Sequence, residues 1–492
     1  MKKFSFCIGL AWLVLVPSLS TAQSEKEFED SFNAAFKQFK QKNVDEFNAF
    51  RDKINQEFSA FLKRDWEAFV VEQPRERPMR PEPETPPVVK TDVEKPKPQE
   101  LDIDTTVPVV EKPADVPQET PGIEPVVPPE ETDNKVPITF YGRRFAITPL
   151  LRNPFVLDDL TENEIAAAWS TLSALPYGQL LNECAGIRDA LQLNDWGYFL
   201  LCGEVSRRLL NRDGGNETAF LQTFLLCQSG YDAKIARSDN DLLLLAPSSV
   251  MIYGHSYLPI EGKKYFVLNK KTTASGAVYT YRQNFSLASK PLDMYIRSVP
   301  QLSEDMVVKE KQLGDIDNAV AVPVSKALVD FYRDYPQCDF PVYMYAPVDT
   351  RTSGVLLSAL QQYISGKTEL DAVNRLLGFV QRSFEYKTDP EQFGYEKPFF
   401  VEENFFYPYC DCEDRAVLFA YLVRELLKLD VVLLDYPNHI AAAVCFSDES
   451  VSGDYVRVDN RKYVVCDPTY INALAGEAMP QCKTASAQII KY

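Results

Sequence analysis

The sequence predicts an α+β fold: a cysteine-bearing helix packed on an antiparallel sheet, preceded by a similar but altered domain, a proline-rich linker and a long N-terminal helix. Three observations predict this. Apolar residues recur at Val417, Leu418, Tyr421, Leu422 and Leu426, a helical spacing, and the strand-like runs HIAAAVCF and KYVVC come after them. GKKYFVLN (Gly262 to Asn269) aligns without a gap on NRKYVVCD (Asn460 to Asp467), 198 residues later. Phe28, Phe39, Phe50 and Phe61 stand eleven residues apart, as do Phe36, Phe47, Phe58 and Phe69.

From the N-terminus, Lys2 and Lys3 precede an apolar run from Phe4 to Val16, and Ser20-Thr21-Ala22 offers a small-residue cleavage site. Residues 1–22 therefore read as a secretory signal cut after Ala22, and the protein is expected to be exported, periplasmic or secreted. No later run is long enough to span a bilayer. The formal charge of −18 argues against a nucleic-acid partner. Of the 10 cysteines, nine remain once Cys7 is removed with the signal, an odd number that allows pairs and one free thiol. Cys412 is the expected free one. Cys184, Cys202, Cys227, Cys445 and Cys466 sit in apolar runs that also suit simple burial.

Residues 24–72 carry the phenylalanine repeat. Eleven residues over three turns is about 3.67 per turn, so one nearly straight helix of roughly 60 Å is expected to present a phenylalanine stripe. Self-association as a coiled coil, packing against the protein, membrane-surface contact and partner binding are its four outlets. Residues 73–136 change composition, as in RPEPETPPVVK, and are expected to form a disordered, acidic, extended spacer.

An ordered domain is expected over 137–273. Helices are expected at Asp158–Leu175, where Thr161 and Glu164 form a capping box, and at Tyr177–Leu193, Trp196–Leu210 and Asn216–Gln228. DAKIARSDNDLLLLA then falls on DVVLLDYPNHIAAAV at the displacement of 198, and ETAFLQTFLL on DRAVLFAYLV at one residue less. The pattern suggests a duplication, although any helix followed by strands would align in part. On this alignment Gly215, Asp241 and Asn269 stand where the later copy has Cys412, His439 and Asp467, so the earlier copy has lost thiol chemistry. His255 falls off these positions. Residues 274–352 alternate in stretches such as AVYTYRQNFSL and read as a β-rich bridge with a short helix at Ser325–Tyr335.

The second domain, 353–492, begins with helices at Ser353–Ser365 and Leu370–Tyr386. The aromatic segment Lys387–Tyr409 is expected to line a cleft, with Gln392, Asn404 and Tyr407 as candidate substrate or oxyanion contacts. Cys482 is a candidate partner for Cys410. Cys412 falls at or just before a helix start whose first turn holds Glu413 and Asp414. Free N–H groups there favour a thiolate and can hold an oxyanion. His439, one of 2 histidines, comes after the turn signature Asp435-Tyr436-Pro437-Asn438. Asp467 precedes Pro468, which ends its strand. A thiol that attacks an acyl carbon needs a base and a group to orient that base, and this order supplies both.

Cys-Glu-Asp at a helix start, His at a strand start and Asp-Pro-Thr at a strand end, 27 residues (412 to 439) and 28 residues (439 to 467) apart, resemble the transglutaminase-like superfamily. The resemblance covers Leu357 to Tyr470 and implies a papain-like Cys-His-Asp fold. It implies Cys412 as nucleophile, His439 as general base and then acid, and Asp467 as the group that holds the imidazole. Many members carry Gly at or just before the position preceding the nucleophile and Trp soon after the histidine; here Tyr409-Cys410-Asp411 and Ile440-Ala441-Ala442 stand instead. The expected function is an exported thiol enzyme acting on a peptide or protein amide bond through a thioester, as peptidase, amidase or acyltransferase, with hydrolysis preferred and no cofactor or metal required. The alternative is a non-catalytic scaffold that binds peptides or envelope components. Zinc on Cys410, Cys412, His439 and Asp467 would need an unusual Cys-x-Cys spacing, and a redox pair lacks Cys-x-x-Cys.

Overall fold

The computed structural model describes residues 46–64, 66–76, 85–89, 97–107, 109–110, 135–150, 154–270, 277–313 and 319–491. The signal segment and residues 24–45 lie outside them. The chain divides into two units, one ending at Lys53 and one starting at Ile54. The described part of the first is one helical stretch, 46–53. The second unit holds both halves of the fold.

The helix across residues 46–62 is α1. Its buried positions Ile54, Phe58 and Leu62 recur every four residues and enter the core of the first half. Phe58 meets Trp169 edge-on with ring centres 4.8 Å apart. The expectation of one helix over 24–72 is corrected here: α1 stops at residue 62, and Phe69 lies on strand β1 (Glu67–Phe69), paired in the sheet. The core takes this part of the stripe: Ile54, Phe58, Leu62, Trp66 and Phe69 are buried. The expected disordered spacer is also corrected where it is described. Val88 bridges Ile471, Glu100 bridges Tyr455, Ile103 bridges Ala487 and Val110 bridges Ile490. Leu101 is buried among the outer-face residues of the second half's sheet. Pro and Glu prevent a core of its own, but its backbone still pairs with strands and loops that offer free N–H and C=O groups.

The first half starts with the hairpin β2 (Val136–Phe140) and β3 (Arg143–Ile147). Helices α2 (Glu162–Ser173), α3 (Tyr177–Ala190), α4 (Asp195–Leu210) and α5 (Asn216–Gln228) come next. Thr161 caps α2 by accepting from the Glu164 N–H, but the expected capping box is only half made, because the Thr161 N–H donates to Asp159 Oδ1 instead of to the Glu164 side chain. Strands β4 (Lys234–Ser238), β5 (Asp241–Pro247), β6 (Tyr257–Ile260), β7 (Lys263–Val267) and β8 (Val278–Thr280) complete a sheet of order β1-β8-β4-β5-β7-β6.

The second half repeats this plan. A hairpin, β9 (Met306–Gln312) and β10 (Ala319–Ser325), precedes α6 (Lys326–Arg333), α7 (Phe340–Met344), α8 (Thr350–Ile364) and α9 (Glu369–Ser383). The short elements β11 (Glu385–Tyr386), α10 (Asp389–Gln392), α11 (Glu403–Phe406) and β12 (Tyr409–Cys410) lead to α12 (Cys412–Leu427). Strands β13 (Asp430–Tyr436), β14 (His439–Cys445), β15 (Tyr455–Val458), β16 (Arg461–Cys466) and β17 (Gln488–Lys491) form a sheet of order β15-β16-β14-β13-β17. Residues 137–352 therefore do not end in a β-rich bridge: β9 and β10 open the second half, as β2 and β3 open the first.

The registers agree residue for residue. Ser238 faces Asp241, and Tyr436 faces His439. Leu245 faces Val267, and Ala443 faces Val465. Tyr257 faces Phe266, and Tyr455 faces Val464. Every one of these pairs is displaced by 198 residues. A one-residue slip would turn each side chain to the other face, so a constant displacement across three strand pairs is a strong geometric identity. One difference stands out. Five residues, 211–215, join α4 to α5, whereas residues 384–411 lie between α9 and α12.

Strand β14 is buried along its whole length because both faces are covered. Ile440, Ala442 and Val444 pack with α12 residues such as Leu418 and Leu422. Ala441 and Ala443 pack with Leu101, Met479 and Cys482. Its small residues suit a strand held between two layers. Every cysteine among the described residues is a buried thiol outside any disulfide. The expected pairs are thus absent there, Cys410–Cys482 included: Cys410 packs on the helix side of the sheet and Cys482 on the other.

Candidate active site

The helix α12 starts one residue earlier than its apolar spacing suggests, with Cys412 as its first residue. A capping box fixes that start: the Asp411 side chain accepts from the backbone of Asp414, and Asp414 returns a bond to the Asp411 N–H. Lys428, left-handed at φ 57°, ends the helix. His439 opens β14 after the two-residue turn Pro437-Asn438. Asp467 comes directly after the last residue of β16.

Asp467 is held on all sides. Its Oδ1 accepts the N–H groups of Thr469 (2.9 Å) and Tyr470 (3.1 Å), an Asx turn built on the Asp-Pro-Thr run. Its Oδ2 lies 2.8 Å from His439 Nε2. Gln381, on α9 and 3% exposed, fastens the same loop. Its Nε2 reaches the carbonyls of Asp467 (3.1 Å), Tyr470 (2.9 Å) and Ala473 (3.1 Å), and its Oε1 accepts from Asn472 N–H at 3.2 Å. Arg415, in the first turn of α12, donates to the carbonyls of Gln381 (3.5 Å) and Phe384 (2.8 Å). The end of α9 thus anchors both the first turn of α12 and the Asp467 loop.

Cys412, His439 and Asp467 are 0%, 2% and 1% exposed. The structure joins His439 to Asp467 but does not join Cys412 to the imidazole Nδ1, which is buried without a hydrogen-bond partner. The thiol donates instead to Glu413 Oε2 at 3.2 Å. Glu413 belongs to an acidic group: Asp389, Asp411 and Glu413, all buried, offer oxygens within 4.8 Å of one another. Such a set could hold a cation, and among the described residues it is the set with that spacing, rather than Cys410, Cys412, His439 and Asp467. Burial first, then the charges of Asp414 and Glu413, push Asp389 well above the usual carboxylate range. Burial and Glu413 do the same to Asp414. Burial pushes the neighbouring Cys410 thiol up to about 11. Burial first, and then the charge of Asp467, raise Cys466 and Cys482 further still.

The other expected contacts have structural employment. Gln392 Nε2 donates to the Tyr409 carbonyl at 3.2 Å, and Asn404 Nδ2 to the Val401 carbonyl at 3.4 Å. Tyr407 packs against Phe393 and Phe399 beneath the Lys397 ammonium. Sequence reasoning misses Gln381, Asp389 and Glu413 as neighbours of the thiol and of the Asp467 loop. Glu413 had a signal, since it stands directly after the thiol; Gln381 reads as one more polar residue on an amphipathic helix.

The corresponding corner of the first half has no sulfur. Gly215 precedes α5 at φ 104°. Asn216 accepts from Leu242 N–H (2.9 Å) and donates to the Asn240 carbonyl (2.9 Å). Asn269, in register with Asp467, accepts from Leu244 N–H and donates to the Leu242 carbonyl, both at 2.9 Å. Two amides thus clamp β5 where the second half has its carboxylate–imidazole pair. Asp241, in register with His439, pairs with Lys270. His255 is bonded to the Val267 carbonyl.

No family model, no curated protein and no solved structure matches this chain.

Proposed function

We propose that the protein is an exported thiol enzyme of transglutaminase-like, papain-like type, acting on peptide or protein amide bonds, whose first half is a duplicated copy that has lost the chemistry. The observation that carries this reading is the 2.8 Å contact between His439 Nε2 and Asp467 Oδ2, which leaves a buried Nδ1 without a hydrogen-bond partner. An imidazole oriented by a carboxylate at one nitrogen and open at the other is a general base awaiting a proton donor. In this reading His439 Nδ1 takes the Cys412 proton as sulfur attacks the amide carbon. The imidazolium returns that proton to the leaving amine as the C–N bond breaks and a thioester remains. Water or a second amine then resolves the thioester, giving hydrolysis or acyl transfer. Hydrolysis is the preferred outcome. The first oxyanion donor is the Cys412 backbone N–H at the start of α12.

The test is alkylation by chloroacetamide, read by intact mass and peptide mapping. Cys412 is expected to label ahead of the eight other described cysteines, and His439→Asn to slow that labelling at least tenfold. Equal rates in wild type and His439→Asn would refute the reading, because both carry the same burial and differ only in the base.

A second reading, a peptide-binding scaffold without turnover, draws on one observation: the thiol's hydrogen bond goes to the Glu413 carboxylate, a neighbour that opposes a thiolate. It expects no thioester adduct with activated acyl esters under conditions where His439 governs nothing.

A further inference from the structure

A cavity of about 350 Å³ opens at the seam between the two halves, away from the thiol. From the first half, Trp196 and Leu268 to Lys270 line it; from the second, Tyr332, Tyr395 and Lys397. Its walls are tied to one another. Trp196 Nε1 donates to the Asp334 carbonyl (3.0 Å), Tyr253 N–H to the Gln337 carbonyl (2.9 Å), and the Gln337 amide to the Glu396 carbonyl. Tyr332 stacks on Phe400 with ring centres 4.0 Å apart. This is a built concavity of the size that takes a small ligand.

Its position is informative. Asn269, in the lining, is the residue in register with Asp467, so the cavity opens at the first half's altered corner. The segment 384–411, nearly absent from the first half, closes the other side. That wall leads to the thiol: Lys397 N–H donates to Asp389, and Phe399 N–H donates to Asp414 Oδ1 at 2.8 Å, inside the first turn of α12. The lining is also basic in a chain of charge −18. Lys270, Arg333 and His255 line it, against Asp334 alone, while Lys397 lines it with its ammonium buried on Glu403. The acids that pair with the two exposed cations, Asp241 with Lys270 and Asp330 with Arg333, hold them in place without lining the cavity.

We infer that this cavity is a recognition subsite for a short, carboxylate-bearing peptide segment of the substrate, with an apolar or aromatic side chain set against Trp196 and Tyr332. The inference rests on the amide-bond reading above. Aromatic walls supply contact area at low entropic cost, and the rim cations supply charge-assisted hydrogen bonds to a carboxylate.

The test uses full-length Cys412→Ala protein, which binds without turnover, and N-acetyl-phenylalanyl-glutamate as probe, with tryptophan fluorescence as readout. A saturable change is expected that disappears in Trp196→Phe. The dissociation constant is expected to rise at least fivefold for the fully amidated probe, for Arg333→Glu, and for Tyr395→Ala at the exposed rim. No saturable change, a change that persists in Trp196→Phe, or equal binding of the amidated probe would overturn the inference. So would equal competition by N-acetylglucosamine, which would assign the aromatic walls to a sugar. The two proposals fail separately: a Cys412 whose alkylation ignores His439 beside a cavity that binds the probe sinks the enzyme, and the reverse sinks the subsite.

Discussion

Replacing Gln381 by alanine should loosen the residue that orients the imidazole. The Gln381 amide nitrogen has two protons and faces three carbonyls at 2.9 to 3.1 Å, so it satisfies about two of them fully. Its oxygen satisfies the Asn472 N–H. Truncation leaves about three buried groups without their partner, at about 1–3 kcal/mol each, less whatever water enters the space. A net loss of about 3–5 kcal/mol is expected. At about 1 °C per kcal/mol for a unit of this size, the melting midpoint should fall by roughly 3–5 °C. Thermal unfolding measures the first quantity, and alkylation of Cys412 below the transition measures the second. The rate should fall in Gln381→Ala and recover in part in Gln381→Glu, whose carboxyl can still accept from Asn472. A loss under about 1 kcal/mol with unchanged alkylation would mean that the Asx turn alone holds Asp467, and the case for Gln381 would fail.

Three further outcomes are expected of the same molecule. Glu413→Gln keeps an oxygen beside the thiol and removes its charge, so Cys412 should alkylate several-fold to tenfold faster near neutral pH; an unchanged rate would show that the 3.2 Å contact is without consequence. Burial pushes Glu402 up to about 7, so the folded state binds its proton more tightly than the unfolded chain, and stability should fall by roughly 3 kcal/mol as pH rises from about 4.5 to 7. Glu402→Gln should flatten that part of a urea-denaturation profile; the same slope in the variant would assign it to Asp389 and Asp414. Leu101→Ala, deep in the outer face of the second sheet, should cost about 2–4 kcal/mol in the same assay, whereas a disordered spacer would show no change.

The helix at Cys412, the strands at His439 and Asp467, and the displacement of 198 were all legible because each is a local pattern. Helical spacing, a two-residue turn and Pro468 fix those elements whatever surrounds them. What was not legible was set by partners remote in the chain. Phe69 continues the eleven-residue repeat yet lies in a strand, because β8 offers it an edge. Leu101-Asp-Ile-Asp is too short a run to outweigh its proline-rich setting, yet it finds Tyr455 and Ala487. Gln381 has no motif of its own; its role exists only where α9 meets the Asp467 loop. The acidic group at Asp389, Asp411 and Glu413 arises because residues 384–411 fold back on the start of α12, which spacing alone does not reveal.

Sulfur, imidazole and carboxylate are all shut away from water, so on the proposed thiol-enzyme reading a substrate would reach them only when the surrounding structure opens. The pace of any chemistry there would then be metered by breathing of the protein rather than by proton transfer. Electrophiles of increasing girth would read that breathing directly, as a ladder of falling rates on one and the same thiol.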